Sequence, residues 1–296
     1  MTTRRVVLCA DDFGITEGVS RGILDLARLG RLSATSAMTN RPWWPHFAPA
    51  LGELDGRLGV GLHLNLTLGE PLVAMRQLAP GGAFPSLSEV LRRAFLRRLP
   101  LTEIGGEIDR QLTAFEAALG RPPDFIDGHQ HVHVLPGIRE QLLRAVDGRG
   151  WRGRVWLRDP SDRLAAILRR RVAARKALTV RALATGFGTA SRRAGFDVNN
   201  GFSGFSPFDP TRNAAADFER FFEALGPRPV VMCHPGHVDA ELRTLDPVIE
   251  PRRQEYAYLA SDAFGDLLSA KNITLAPRPD LATVIPGRMQ GRVRNQ

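Results

Sequence analysis

Short apolar runs alternate with segments of helical periodicity along most of this chain. Runs of branched and apolar residues predict buried strands, and apolar residues spaced three or four apart predict helices between them. The first helix is expected over residues 16–30, because Thr16 is a preferred N-cap and Gly30 a preferred helix stop. The predicted strands cover residues 6–10, 33–38, 59–66, 124–128, 155–158, 229–233 and 273–276.

Strands that alternate with helices indicate parallel βαβ units and an α/β fold. With about seven or eight such units, the pattern favours a closed or partly closed (β/α) barrel over a doubly wound sheet. No internal repeat or low-complexity linker interrupts the chain, so residues 1–285 are expected to form one domain, with a loose basic tail at 286–296. The further predicted helices cover residues 86–98, 101–119, 136–146, 218–225 and 252–269.

The composition is that of an ordinary globular protein, with 43% hydrophobic and 24% charged residues among 296. No stretch reaches the roughly 20 apolar residues of a membrane span. Arg4 and Arg5 lead directly into the first strand without a signal-like cleavage site, and two cysteines do not make a disulfide framework. These features predict a cytoplasmic protein. They leave the oligomeric state open, a homodimer included.

The formal net charge of +9 is concentrated in one segment. Residues 163–193 contain nine lysines and arginines and no acidic residue, which accounts for the whole excess. Leu164, Ile167 and Leu168 have helical spacing there, so the segment is predicted to be an amphipathic surface helix. The nearly neutral remainder argues against nucleic-acid binding. We expect the patch near the mouth of the site, where it either attracts an anionic surface or substrate or is only a solvated face.

Four predicted strands end in acids or histidines, and these residues form the candidate site. Asp11 and Asp12 follow the first strand, while His63, His129 and His234 lie at the ends of three others. Such ends lie on one rim of a barrel, so these side chains are expected to converge. A loop is expected at residues 40–45, and its two tryptophans either pack in the core or stack on a ligand.

One acid with two histidines is a workable ligand set for a catalytic divalent metal. A second acid can then serve as general base and a further histidine as general acid, which predicts metal-assisted hydrolysis of an amide or ester. The same ligand types occur in non-haem iron oxygenases. Those sites usually lie in β-sandwich barrels, which the alternation of strands and helices does not match.

At these residues the chain resembles the YdjC-like, or ChbG-type, carbohydrate deacetylases. The similar segments come in the family's order and at its spacing, and they span nearly the whole chain. They are residues 10–14 (ADDFG), 61–67 (GLHLNLT) with Gly69 and Pro71, 126–133 (IDGHQHVH) and 232–235 (MCHP).

The resemblance implies a deformed (β/α) barrel, related to the NodB-type deacetylases, that removes acetyl groups from N-acetylated sugars. It implies that Asp12, His63 and His129 hold the metal, usually magnesium, although imidazoles also accept zinc or manganese. It further implies that Asp11 is the base, that His234 is the acid, and that Arg158 steadies the catalytic acids.

Two features depart from the family's common form. Gly128 stands where serine is frequent, and the basic segment 163–193 is longer than in members that act on chitobiose-type sugars. The second departure leaves two substrate classes open: a small acetylated sugar, or a sugar-bearing membrane lipid of the hopanoid-associated type, reached by peripheral membrane contact through the basic segment. A non-catalytic sugar-binding module is the alternative from another class, and it predicts loss of a ligand or of Asp11.

Overall fold

The strands of the protein form one open, barrel-like sheet. The computed structural model describes residues 3–279. The strands are β1 (Arg4–Phe13), β2 (Ala34–Ala37), β3 (Gly59–Leu64), β4 (Phe125–Gly128), β5 (Trp156–Leu157), β6 (Asp197–Val198), β7 (Phe202–Ser203), β8 (Val230–Cys233) and β9 (Ile273–Leu275).

The order across the sheet is β6-β5-β4-β3-β2-β1-β8-β7, with β9 beside the first part of β1, and every ladder is parallel. Within residues 3–279 no ladder joins β6 to β7, so the barrel is deformed and incompletely closed. The predicted α/β fold with a partly closed barrel of parallel strands is confirmed. The predicted tail at residues 286–296 lies outside the described residues.

Helices connect the strands and cover the outside of the sheet. The stripe Ile104, Ile108, Leu112 and Phe115 is buried, as its spacing predicts. No helix in the described part of the chain is long and apolar enough to cross a membrane. The helices are α1 (Glu17–Arg28), α2 (Trp44–Gly52), α3 (Leu87–Phe95), α4 (Leu101–Leu119), α5 (Ile138–Gly148), α6 (Leu164–Arg170), α7 (Ala174–Leu183), α8 (Phe187–Arg193), α9 (Ala214–Phe221), α10 (Ala240–Leu245), α11 (Glu250–Ala260) and α12 (Asp262–Ala270).

Strand β1 is the centre of the sheet and extends further than its apolar run. It pairs with β2 on one side, and with β9 and then β8 on the other. The strand contains both Asp11 and Asp12, and the register with β2 shifts between Ala10 and Phe13. Asp12 has a φ of +70°, a left-handed conformation that aspartate tolerates better than most residues. Thr16 then caps α1 by accepting the backbone N–H of Val19, as predicted.

Three sequence predictions differ from the structure. The basic segment is not one helix but three short ones, because Arg171 and Ala173 adopt left-handed backbone angles between α6 and α7, and Gly186 does so before α8. The predicted helix 252–269 is two helices, since Ser261 is extended between α11 and α12. The predicted loop 40–45 leads into α2, whose buried Trp44 stacks on Phe115 in the core.

Candidate metal centre

The carboxyl ends of β1, β3, β4, β5 and β8 bring the sequence-predicted site residues together. Asp12, His63 and His129 supply three ligand atoms that all lie within 4.8 Å of one another. Asp12 Oδ1 lies 3.2 Å from His63 Nε2 and 3.0 Å from His129 Nδ1. One carboxylate and two imidazoles that converge in this way suit a divalent cation such as zinc, manganese or magnesium, so the residues present fit a metal ion.

Asp12 is held in its ionised form. Its Oδ2 accepts a 2.6 Å hydrogen bond from Arg252 Nη2, which also contacts Asp246 at 2.6 Å. Burial would raise the pKa of Asp12, but the charges of Arg252 and His129, with hydrogen bonds from His129 and His63, hold it well below its ordinary value. Asp12 is therefore a carboxylate before any cation arrives.

His63 lies between two carboxylates. Its Nε2 faces Asp12, and its Nδ1 is 2.6 Å from Asp127 Oδ1. Burial would lower the pKa of His63, but the charge of Asp127 and the hydrogen bonds to Asp12 and Asp127 raise it to about 10. His63 would have to give up its Nε2 proton before it could hold a cation.

Asp11 is adjacent to Asp12 but has different partners. Arg158 forms a two-pronged ion pair with it, at 2.6 Å to Oδ1 and 2.7 Å to Oδ2, and Ser36 Oγ donates to Oδ1 at 3.3 Å. Burial raises the pKa of Asp11 from its ordinary value, against the opposing charge of Arg158. Cys9, Asp11 and Asp127 form a second group of donor atoms, but the guanidinium of Arg158 already lies there as its cation.

His234 follows β8 and faces the same cavity. Its backbone N–H donates to Glu255 at 2.6 Å, its ring packs edge-on against Phe208, and its buried Nδ1 has no hydrogen-bond partner among the described residues. Burial lowers the pKa of His234 well below its ordinary value. Burial also raises the pKa of Glu255, to about 7.

The three histidines after β4 do not alternate as strand residues would. They lie in a short 3₁₀ turn, in which Gln130 and His131 have left-handed backbone angles. His129 therefore faces Asp12, while His133 contacts the backbone oxygen of Arg158 at 2.7 Å. His131 packs against Phe202 and Phe205.

The centre lies at the bottom of a cavity of about 570 Å³ with two unlike sides. The first, which we call the polar floor, carries the ionisable residues Asp11, Asp12, His63, His129, His234 and Arg252. The second, which we call the apolar wall, comes from α3, α7 and the segment before α11. It consists of Leu87 and Leu91 of α3, Val180 and Leu183 of α7, Leu245 at the end of α10, and Pro247 and Val248 after it.

Sequence reasoning missed Arg252, Asp127 and the wall. Arg252 lies 240 positions from Asp12 and follows no strand, so no local pattern points to it. Asp127 does stand in the segment IDGHQHVH, two residues before His129. The sequence signal for Asp127 was its position: it is an acid at the end of an apolar strand, where the other candidate site residues also lie.

The chain is similar to known proteins in sequence and in fold. The family model described as YdjC-like protein matches residues 5–270. A chitooligosaccharide deacetylase of Enterobacter sp. (strain 638) is 41% identical over 133 residues, or 45% of this chain and 52% of that protein. A chitooligosaccharide deacetylase of Yersinia pestis (strain Pestoides F) is 41% identical over 134 residues, with the same coverage. The alignments thus span about half the length of these curated relatives.

A solved structure shares the fold over the whole described body. It is a protein of Enterococcus faecalis V583 named for cellobiose-phosphate cleavage, with a TM-score of 0.69 and 22% sequence identity. The superposition covers 93% of this chain and 97% of that one. At this identity the likeness establishes the fold alone.

Proposed function

Because the chain belongs to the YdjC-like family, we propose that it is a metal-dependent deacetylase that hydrolyses the N-acetyl amide of a sugar. The observation that carries the proposal is the convergence of Asp12, His63 and His129 at the cavity floor. The carboxylate of Asp11 lies next to them and is held by Arg158 instead. Two curated relatives named chitooligosaccharide deacetylase support the same chemistry. Retention of all these residues speaks against a non-catalytic sugar-binding module.

Asp12, His63 and His129 would hold the cation. When bound, the ion supplies Lewis-acid polarisation of the acetyl carbonyl. We propose magnesium from the family resemblance, while the two imidazoles also suit zinc or manganese. Elemental analysis of the purified protein identifies the native ion.

Asp11 would be the general base. Arg158 holds both of its oxygens, so the carboxylate is fixed in place while burial makes it a better proton acceptor than an exposed aspartate. Asp11 takes a proton from the attacking water, whose oxygen adds to the acetyl carbon. The C–N bond then breaks, and the products are acetate and the free amine of the sugar.

His234 would be the general acid that protonates the departing amine. Its imidazole is neutral in the ligand-free site because burial lowers its pKa. The proton that Asp11 took from the water must reach it after the attack, when negative charge on the acetyl oxygen favours the imidazolium. Activated aryl acetates, whose leaving groups need no proton, should therefore depend on His234 less than amides do.

The apolar wall favours a second candidate substrate, an acetylated sugar attached to a lipid. All seven residues of the wall are aliphatic or proline, whereas a small oligosaccharide offers mainly hydroxyl groups. On α6, Leu164 and Leu168 are about half exposed beside the exposed Arg169 and Arg171. This surface suits peripheral contact with an anionic membrane.

The two substrate classes are separated by one assay. Purified protein is incubated with N-acetylated chitooligosaccharides and with N-acetylglucosaminyl lipids, and mass spectrometry follows the loss of one acetyl group. Turnover of neither class, in metal-loaded protein, contradicts the proposed function. Turnover of the oligosaccharide alone contradicts the lipid candidate.

Membrane contact has its own test. Arg169→Gln with Arg171→Gln should weaken binding to vesicles rich in phosphatidylserine at low salt, because each removes a cation near the surface. Arg170 is left intact, since it is buried and bonded to Asp162 and to backbone carbonyls. Equal binding by wild type and variant at all salt concentrations contradicts membrane contact. A cytoplasmic location stays a prediction.

A further inference from the structure

Asp127 is fully buried at the floor, yet the proposed reaction assigns it neither to the ligands nor to the acid and base. Its Oδ1 lies 2.6 Å from His63 Nδ1, and its Oδ2 lies 2.8 Å from Arg158 Nη1. His63 and Asp127 are register partners in the ladder between β3 and β4, so the sheet itself places them side by side. The contact is thus built into the backbone pairing.

A histidine can bind a cation through one nitrogen only when that nitrogen carries no proton. For His63 the nitrogen that faces Asp12 is Nε2, so the remaining proton must stay on Nδ1 and needs an acceptor. We propose that Asp127 is a positioning residue that keeps this proton on His63 Nδ1 and thereby leaves Nε2 for the cation. The inference rests on the proposed metal centre. Hydrogen bonds of this kind raise metal affinity in other sites by about 10–100-fold.

Arg158 determines the orientation of the side-chain amide in an Asp127→Asn variant. Its guanidinium has only donors, and the same Nη1 contacts Asp11 Oδ1 and Asp127 Oδ2. In Asp127→Asn the amide oxygen must therefore face Arg158, and the amide NH₂ must face His63. An NH₂ group donates to Nδ1, which moves the histidine proton to Nε2, the atom that should bind the cation.

Ser36 is the competing acceptor. Its Oγ lies 3.0 Å from His63 Nδ1, and it also donates to Asp11 at 3.3 Å. The carboxylate of Asp127 is closer and charged, so it should be the main partner of the Nδ1 proton. Ser36→Ala removes the hydroxyl and retains Asp127. It therefore tests whether Ser36 or Asp127 is the main acceptor of the Nδ1 proton.

The test uses Zn²⁺ as the probe and equilibrium dialysis as the measurement. Asp127→Asn should bind Zn²⁺ about 10–100-fold more weakly than wild type, whereas Ser36→Ala should stay close to wild type. Asp124→Asn is the matched control, because Asp124 precedes the same strand and, within residues 3–279, its side chain accepts hydrogen bonds from Val60 N and Arg121 and not from the site. Circular dichroism checks that each variant is folded.

A measurement on the wild type keeps the inference open to refutation if Asp127→Asn does not fold. In ¹⁵N–¹H spectra of the Zn²⁺-loaded protein, His63 should carry its proton on Nδ1, with the signal assigned by its loss in His63→Asn. A proton on Nε2, wild-type affinity in Asp127→Asn, or an equal loss in Ser36→Ala overturns the role of Asp127 alone. A wild-type protein that binds no Zn²⁺ overturns the metal centre and this inference with it.

Discussion

The polar floor and the apolar wall of the cavity are built in opposite ways. Most side chains of the floor lie at strand ends, and ion pairs of 2.6–3.2 Å join all of them except His234 to their neighbours. The wall comes from helices and a connecting segment, and its residues offer no directional bonds. A rigid charged floor suits a fixed reaction, while a wall of aliphatic side chains sets which substrates enter. Chemistry and substrate choice should therefore respond to different mutations.

The largest expected effect comes from removal of a floor ligand. His63→Ala or His129→Ala should abolish bound divalent metal and activity together, because only Asp12 and one imidazole remain. Elemental analysis and a deacetylation assay on the same preparations measure both. Full metal occupancy in either variant contradicts the assignment of that ligand.

The next effect separates the two neighbouring acids. Asp11→Asn should retain metal, since Asp11 is not among the three converging ligands, while kcat falls by roughly 10²–10⁴, the usual effect of removing a general base. Kinetics with an N-acetylated substrate and metal analysis test this together. A variant that turns over at nearly the wild-type rate contradicts the role of Asp11.

The wall should respond in KM and not in kcat. Leu183→Asn replaces an aliphatic side chain at the cavity, and it should raise KM for lipid-linked sugars by roughly three- to tenfold while kcat is unchanged. Leu29→Asn is the control, because Leu29 is 61% exposed and lies at the end of α1, outside the cavity. A fall in kcat with unchanged KM would assign Leu183 to the chemistry.

The smallest expected effect is on the pH dependence of stability, and it comes from Glu255, a buried acid beside the floor. Glu255 has an ordinary pKa of 4.5 and a folded-state pKa of about 7, so the folded protein binds more protons between these values. Stability should therefore fall as pH rises from 4.5 through 7, by roughly 1–3 kcal/mol from this group. Glu255→Gln keeps an acceptor for the His234 N–H and should remove that part of the pH dependence. Urea unfolding at pH 5 and pH 8 measures the difference.

The floor was largely predictable because strand ends leave a local signal. Apolar runs that stop on Asp11, His63 and His234 can be recognised without a structure, and parallel strands place such ends on one edge. The partners of these residues gave weaker signals. Arg252 reaches Asp12 from α11, which packs against α1 and α9, and no local pattern encodes that contact.

The wall and the basic segment were less predictable because tertiary packing overrides their local pattern. Helical spacing in residues 163–193 suggested one exposed helix. The side chain of Arg170 instead turns inward to Asp162 and to the carbonyl groups of Phe202 and Glu223. Helix α6 ends at Arg170, because Arg171 adopts a left-handed backbone conformation. An arginine that is 95% buried cannot be distinguished from its exposed neighbours by sequence spacing alone.

The position of β1 also has a consequence for how the protein is made. Residues 7–10 of β1 pair with residues 230–233 of β8, and residues 4–6 pair with residues 273–275 of β9. A ribosome therefore releases the central strand more than 200 residues before its partners on that side exist. Until then its apolar edge is unpaired, and contacts so distant in sequence form slowly. The newly synthesised chain should depend on chaperones until β8 emerges, and Asp12 and Arg252 can meet only after nearly the whole sheet has been translated.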